Sequence, residues 1–219
     1  IVQTGAIEVS NPLSQIASTY NTAVVDKISP ALSATYKFNN KLSIRSKYLM
    51  NRAVVKGQVF RPLVFLGNNK SLSNTTNNSF TDNKDTYDDY TWNNIITFED
   101  TFSEVHKVKI LLGHEMFETK GLFDGQTGVG LLDGANAFAD ASISNSEVVN
   151  PRFQPAAIET GGNQFKNRLM SYFGRLQYAF KEKYLVSALL RRDQSSRFSK
   201  VENFNVGYFN SVSLGWNIS

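Results

Sequence analysis

YLVSALLRRDQSSRFSKVENFNVGYFNSVSLGWNIS, residues 184–219, ends in a run whose polarity alternates from one residue to the next. From Tyr208 onward the even positions hold Tyr208, Asn210, Val212, Leu214, Trp216 and Ile218. The odd positions hold Phe209, Ser211, Ser213, Gly215, Asn217 and Ser219. One face is mostly large and apolar, the other mostly small and polar. A period of two marks a β-strand with two unlike faces. Such a strand suits a soluble sheet packed on a core. It equally suits a membrane sheet with lipid on one side and a wet lumen on the other.

The same parity runs upstream. Leu32, Ala34, Tyr36 and Phe38 oppose Ser33, Thr35 and Lys37, and Leu42, Ile44, Tyr48 and Met50 oppose Ser43, Arg45 and Lys47. Ile96, Phe98 and Phe102 oppose Thr97, Glu99 and Thr101, and Val108, Ile110 and Leu112 oppose Lys107 and Lys109. Met170, Tyr172, Leu176, Tyr178 and Phe180 oppose Ser171, Arg175 and Gln177. Large apolar residues keep to even positions throughout, as a sheet with one consistent outside requires. Three short turns, at Phe38–Leu42, Ser103–Val105 and Lys181–Lys183, join neighbouring runs into antiparallel hairpins. Strands are expected near 22–38, 41–51, 90–102, 106–118, 167–180, 184–193 and 207–219. The connections over about 52–89, 119–166 and 194–206 are rich in Asn, Ser, Thr, Gly and Asp and read as long loops. Short turns alternating with long loops is the asymmetry of an outer-membrane barrel, and aromatics gather at the short turns as in an interfacial girdle.

Composition narrows the function. The chain has 219 residues, 41% apolar and 19% charged, with a net charge of +4. No stretch approaches the roughly 18 to 20 apolar residues of a membrane helix, which does not bear on a barrel. There is no cysteine, so thiolate metal sites and thiol nucleophiles are excluded. No basic block supports nucleic-acid binding. The chain opens at Ile1 without a charged and apolar leader, as a mature product or an internal fragment would.

Chemical motifs are weak. His106 and His114 lie eight apart on one strand face, roughly 26 Å at about 3.3 Å per residue, too far to share a metal. TDNKDTYDDY, with Asp82, Asp85, Asp88 and Asp89, lacks the glycine and spacing of a calcium loop and reads as solvated. GLFDGQTGVGLLDGAN has no phosphate-binding lysine. Ser195 and Ser196 have no nearby histidine. Arg191, Arg192, Asp193 and Arg197 form the densest charge cluster and suit either a ligand contact or a stiffening ion-pair network. No catalytic, cofactor or metal site is expected.

Three stretches carry a resemblance. LRRDQSSRF, residues 190–198, is similar to an LRRDGSSRFG pattern, and GYFNSVSLGW, residues 207–216, to GYFPSVSLGW. SYFGRLQYAFKEKY, residues 171–184, is similar to an SYFGRLNYxYxDKY hairpin. These patterns belong to the barrel of SusC/RagA-type TonB-dependent outer-membrane transporters. NPLSQI at residues 11–16 and GHE at residues 113–115 are fainter echoes in the right order. Gln194, Ser199 and Asn210 depart from the pattern and put only local turn geometry in doubt.

The resemblance implies an all-β fold: an antiparallel transmembrane barrel segment of about seven strands from a barrel of about 22. Residues 1–219 would form one partial barrel domain, with the plug domain and its TonB-binding segment outside this chain. Seven strands cannot close so wide a barrel, and open edges in lipid are costly. It further implies an outer membrane of a Gram-negative bacterium as location, an oligosaccharide or peptide as substrate, and no enzyme activity. A SusD-like surface lipoprotein, TonB and membrane lipid would be the partners. Arg45, Lys47, Lys107, Lys109 and Arg175 are the expected lumen residues, with Arg191, Asp193 and Arg197 nearer the loops. The other reading is an autonomous surface barrel or sandwich that binds glycan or protein through its loops, in the manner of an adhesin.

Overall fold

The computed structural model describes residues 16, 20–63, 77–132, 136–198 and 205–218. The NPLSQI stretch before Ile16 and Ser199 lie outside the described residues. Nine described strands form one sheet: β1 (Tyr20–Ile28), β2 (Ala31–Lys37), β3 (Leu42–Arg61), β4 (Ser79–Phe102), β5 (His106–Leu131), β6 (Ser146–Pro151), β7 (Gln164–Phe180), β8 (Tyr184–Ser195) and β9 (Val206–Trp216). The order is β1-β3-β4-β5-β7-β8-β9, with β2 also on β3 and β6 also on β5.

The strand count exceeds the expected seven for two reasons. The run expected over 22–38 is divided at Ser29-Pro30, because proline has no N–H to donate to the ladder. The Pro30 carbonyl still accepts from Met50 N–H at 3.1 Å. The second reason lies in the supposed loops. Residues 52–61, 79–89 and 119–131 continue β3, β4 and β5, and 146–151 is a strand of its own. Polar composition misled there, because a strand wetted on both faces needs no apolar alternation once its backbone is paired on either side. TDNKDTYDDY is therefore strand, as is most of GLFDGQTGVGLL. Strands of 24 and 26 residues far exceed the 9 to 11 needed to cross a bilayer.

The chain divides into two compact units. One comprises Ile1–Asp26, Ala53–Thr86 and Leu122–Gln164. Its core is small: Phe60, Phe80 and Leu131 are buried, with Phe138, Ala141 and Ile143 packed on them. Phe138 is the hub, stacked on Tyr20 at 4.3 Å between ring centres and tilted against Phe60 and Phe80. Buried Asn78 receives the backbone N–H groups of Leu131 (2.6 Å) on its side chain and of Gly130 (2.9 Å) on its carbonyl.

The other unit comprises Lys27–Arg52, Tyr87–Gly121 and Phe165–Ser219. Here the strand registers agree with the parity of the sequence. Leu176 faces Ala188 and Tyr178 faces Val186 across β7 and β8, and Ala188 faces Val212 and Val186 faces Leu214 across β8 and β9. Even residues therefore lie in rows on one face. Many of those even side chains are exposed, with Val212 at 73% and Leu214 at 80%. Leu185 and Phe209 are odd-face exceptions that remain largely exposed.

The turns use backbone conformations that their residues do not advertise. Ser103, Glu104, Lys181 and Glu182 all have positive φ, between 49° and 60°. Two successive left-handed residues are what a type I′ hairpin turn demands, and Phe102 and Phe180 carbonyls accept the closing N–H of Val105 and Lys183. The first turn is closed differently: Asn39 Oδ1 accepts both Lys41 and Leu42 N–H at 2.8 Å.

Two outcomes follow. In the full-length protein, Lys181→Asn with Glu182→Gly relieves left-handed strain of about 1 kcal/mol per residue and raises the temperature at which the folded gel band is lost. Phe138→Ala removes the hub of the small core, at roughly 3 kcal/mol. Limited proteolysis then cuts faster within 136–145 while β8 stays protected.

Candidate functional site

The odd face of the second unit carries the polar chemistry, and neighbouring strands bring it into two clusters. Nearer the short turns, Lys109 Nζ pairs with Glu99 at 2.8 Å, joining β5 to β4. Lys107 lies beside them, one odd position closer to the turn. Gln177, Ala179, Leu185, Ser187 and Ser213 extend the same shallow concavity across β7, β8 and β9. One side is thus cationic and the other small and partly apolar. The arrangement can hold a ligand by charge at one end and by surface contact at the other.

The second cluster centres on Arg191. Its Nε donates to both Asp193 oxygens, at 2.8 and 3.0 Å, and its Nη2 donates to Ser171 Oγ at 3.1 Å. Glu115 Oε1 lies 3.8 Å from the same Nη2, and Glu115 Oε2 accepts Asn93 Nδ2 at 3.0 Å. The guanidinium also lies over the Phe173 ring, 5.5 Å from its centre. Arg191 ties β5, β7 and β8, and Glu115 carries the link on to Asn93 of β4. Ser171 is wholly buried beneath Arg191. A guanidinium offers its donors in a rigid planar fork, so a single arginine can serve several acceptors at fixed angles where lysine cannot.

Glycine makes room for this packing. A Cβ on Gly113 would collide with the Phe173 ring, and one on Gly121 with the Phe165 ring. Each ring on β7 covers a glycine on β5, so the faint GHE motif is a packing feature that seats Phe173 under Arg191.

The expected site residues are thus not one site. Lys107 and Lys109 belong to the first cluster, and Arg191 and Asp193 anchor the second. Arg175 lies between them and reaches Ser187 Oγ at 3.4 Å. Arg45 and Lys47 stand on β3, exposed and opposite Thr35 and Ser33 of β2, and have no ion-pair partner among the described residues. Arg197 is in the turn after β8, where its backbone N–H donates to Ser195 Oγ. Arg192 is on the even face, so the dense charge run of the sequence is parted by the pleat. Glu99, Glu115, Asn93 and Ser171 were missed as partners. Their odd numbering placed them on the right face, but only the register between strands shows whom they meet.

Among the described residues no group of three or more His, Asp or Glu side chains is placed to hold a metal ion. His106 instead bonds Tyr178 Oη at 2.7 Å, and His114 packs edge-on to Trp92.

No protein-family model matches the chain. Curated relatives do. It is 49% identical over 53 residues to the TonB-dependent receptor SusC of Bacteroides thetaiotaomicron, covering 24% of this chain and 5% of that one. It is 30% identical over 134 residues to a TonB-dependent receptor of Formosa agariphila, covering 61% of this chain and 12% of the relative. A second receptor of that organism matches at 26% over 217 residues, covering 96% and 20%. Among solved structures, the RagAB peptide transporter superposes with a TM-score of 0.70 at 18% identity, over 90% of this chain and 20% of the other. The chain resembles TonB-dependent receptors of the SusC/RagA type. Its sheet matches a segment of such a β-barrel, and it spans about a fifth or less of the length of the relatives it matches.

Within the LRRDQSSRF stretch, Arg191 and Asp193 act as a strand clamp. Arg191→Lys in the full-length protein keeps the charge and loses the fork, costing about 1–3 kcal/mol in hydrogen bonds to charged partners. Ser171→Ala costs about 1 kcal/mol, whereas Ser171→Leu has no space and abolishes the folded gel band.

Proposed function

We propose that this segment is part of the wall of a TonB-dependent importer of oligosaccharides or peptides in the outer membrane of a Gram-negative bacterium. One observation carries the reading: a single sheet presents exposed aliphatic and aromatic side chains on its even face and charged, hydrogen-bonded side chains on its odd face. Exposed apolar area costs about 25 cal/mol per Å² in water, and so broad an apolar face calls for lipid. The even face then meets the membrane and the odd face lines the lumen. Lys107, Lys109 and Arg175 are the lumen cations nearest the short, periplasmic turns. Arg45 and Lys47 stand on a neighbouring stretch of wall, and Arg191 with Asp193 holds the wall in shape.

The resemblance to SusC/RagA-type transporters supports a plug that TonB pulls and a SusD-like lipoprotein lid that captures ligand outside as the rest of this machine. In this reading the segment supplies surface and catalyses no reaction. The RagAB structures are of a peptide transporter, which supports the peptide class.

The facing is tested by spin labels on single cysteines in the full-length protein in bilayers. Labels at Val212 and Leu214 are expected to be relaxed by dissolved oxygen, and labels at Ser211 and Ser213 by a water-soluble nickel chelate. Equal access of the nickel chelate to all four would sink the membrane reading in favour of a soluble binding module. Uptake of labelled oligosaccharide and labelled peptide by cells then separates the substrates. The transported class is lost on gene deletion and on collapse of the proton-motive force. Lys107→Glu with Lys109→Glu lowers its uptake several-fold if the ligand is anionic.

A further inference from the structure

The even face changes character sharply at one level. On β5 the run Ile110, Leu112, His114, Met116 gives way to Glu118 and Lys120. On β7, read outward from the short turns, Leu176, Tyr172 and Met170 give way to Arg168 and Lys166. On β3 Met50 is followed by Arg52, and on β4 Trp92 and Tyr90 are followed by Asp88. These residues share one row across four adjacent strands. Glu118 accepts from Arg168 Nε, from Lys120 Nζ at 2.8 Å, and lies 3.4 Å from Lys166 Nζ. Arg52 lies 3.8 Å from Asp88, and Lys120 stands over the Tyr90 ring.

Charge does not balance in this row. Four cations, Arg52, Lys120, Lys166 and Arg168, face two carboxylates, Asp88 and Glu118. Three of the cations converge on Glu118, so most of their N–H donors have no hydrogen-bond partner among the described residues, and their side chains are 42%, 46% and 61% exposed. The row stands on the apolar face, so it is away from any ligand path along the odd face. It also lies on the side away from the three short turns, which is the outer side of such a barrel.

Directly inward of the row is a groove of the right kind to accompany it. Gly174 leaves a gap on β7 between Leu112 of β5 and Leu190 of β8, with Tyr172, Tyr208 and Arg192 at its outer end. The gap is lined mostly by apolar side chains, with Asn210 beside them, and Arg192 is the cation at its outer end. Six residues separate Gly174 from Arg168, about 20 Å of strand, which is the reach of a fatty acyl chain from its headgroup.

Resting on the membrane reading above, we propose that this row and groove bind a phosphate-bearing glycolipid of the outer leaflet. Its phosphates take the unused donors of Lys120, Lys166 and Arg168, and one acyl chain lies in the Gly174 groove. Arginine binds phosphate through two parallel N–H groups, and each lysine adds a mobile point charge, so the trio can follow a phosphate without moving the strands. Glu118 has a positioning role: it holds the three cations within reach of one phosphate and lowers their mutual repulsion.

The test uses the full-length protein in detergent and native mass spectrometry. The probes are a monophosphorylated acyl diglucosamine lipid, its phosphate-free counterpart and inorganic phosphate. The wild-type protein is expected to retain the phosphorylated lipid roughly tenfold better than the phosphate-free one, and to retain no inorganic phosphate. Equal retention of the two lipids overturns the proposal, as does binding of inorganic phosphate as tightly as the lipid. Lys120→Gln with Lys166→Gln and Arg168→Gln removes the preference, and Gly174→Leu weakens both lipids alike; unchanged binding in either variant overturns it too. The wild-type comparison decides even where a variant does not fold. A protein that binds lipid this way but imports neither substrate class refutes the importer reading alone.

Discussion

Register between strands is the constraint on which the rest of this sheet depends. In a β-ladder the backbone pairs in steps of two, so a slip of one residue would turn every side chain to the opposite face. The pairing of Phe173 with Arg191 and of Ser171 with Asp193 is what places the guanidinium over an aromatic ring and a buried hydroxyl. The Gly113–Phe173, His114–Tyr172 and Glu118–Arg168 contacts share one antiparallel register between β5 and β7. Odd-face clamp and even-face cation row are therefore consequences of a single alignment. A slip would exchange the charged and the apolar face of the sheet at once.

This coupling explains why the strongest polar network lies where it does. A wide barrel has no packed interior to hold its strands together, and in the second unit few apolar side chains are buried among the described residues. Lateral cohesion has to come from backbone hydrogen bonds and from side chains reaching across strands. Arg191 spans β5, β7 and β8 with one planar group, and Glu115 carries the link to Asn93 on β4. The LRRDQSSRF stretch is accordingly a strand-tying element, and Arg45 and Lys47 stand exposed without an ion-pair partner among the described residues.

Much of this was legible from residue order alone. Alternation placed the facing ends of β7 and β8, Phe180 and Tyr184, at their shared short turn, because those strands have unlike faces and a tight connection. Legibility failed for residues 52–61, 79–89 and 119–131, where Asn, Asp, Thr and Gly resemble loop composition. The turns were located by position and not by their residues, since Ser-Glu and Lys-Glu adopt left-handed geometry only because the flanking strands compel it.

By itself, then, the order of residues determined the local outcomes: strand period, the face each side chain takes, the positions of short turns and the family patterns. Those depend on neighbours within a few residues. The tertiary structure alone decided which charges meet. Arg191 and Arg192 are adjacent in the chain yet stand on opposite faces, one clamping the wall and the other closing an apolar groove. Glu118 and Arg168 are fifty residues apart yet bonded. Distance along the chain says nothing about distance across a ladder, because pairing is set by the joint demands of every strand on its neighbours.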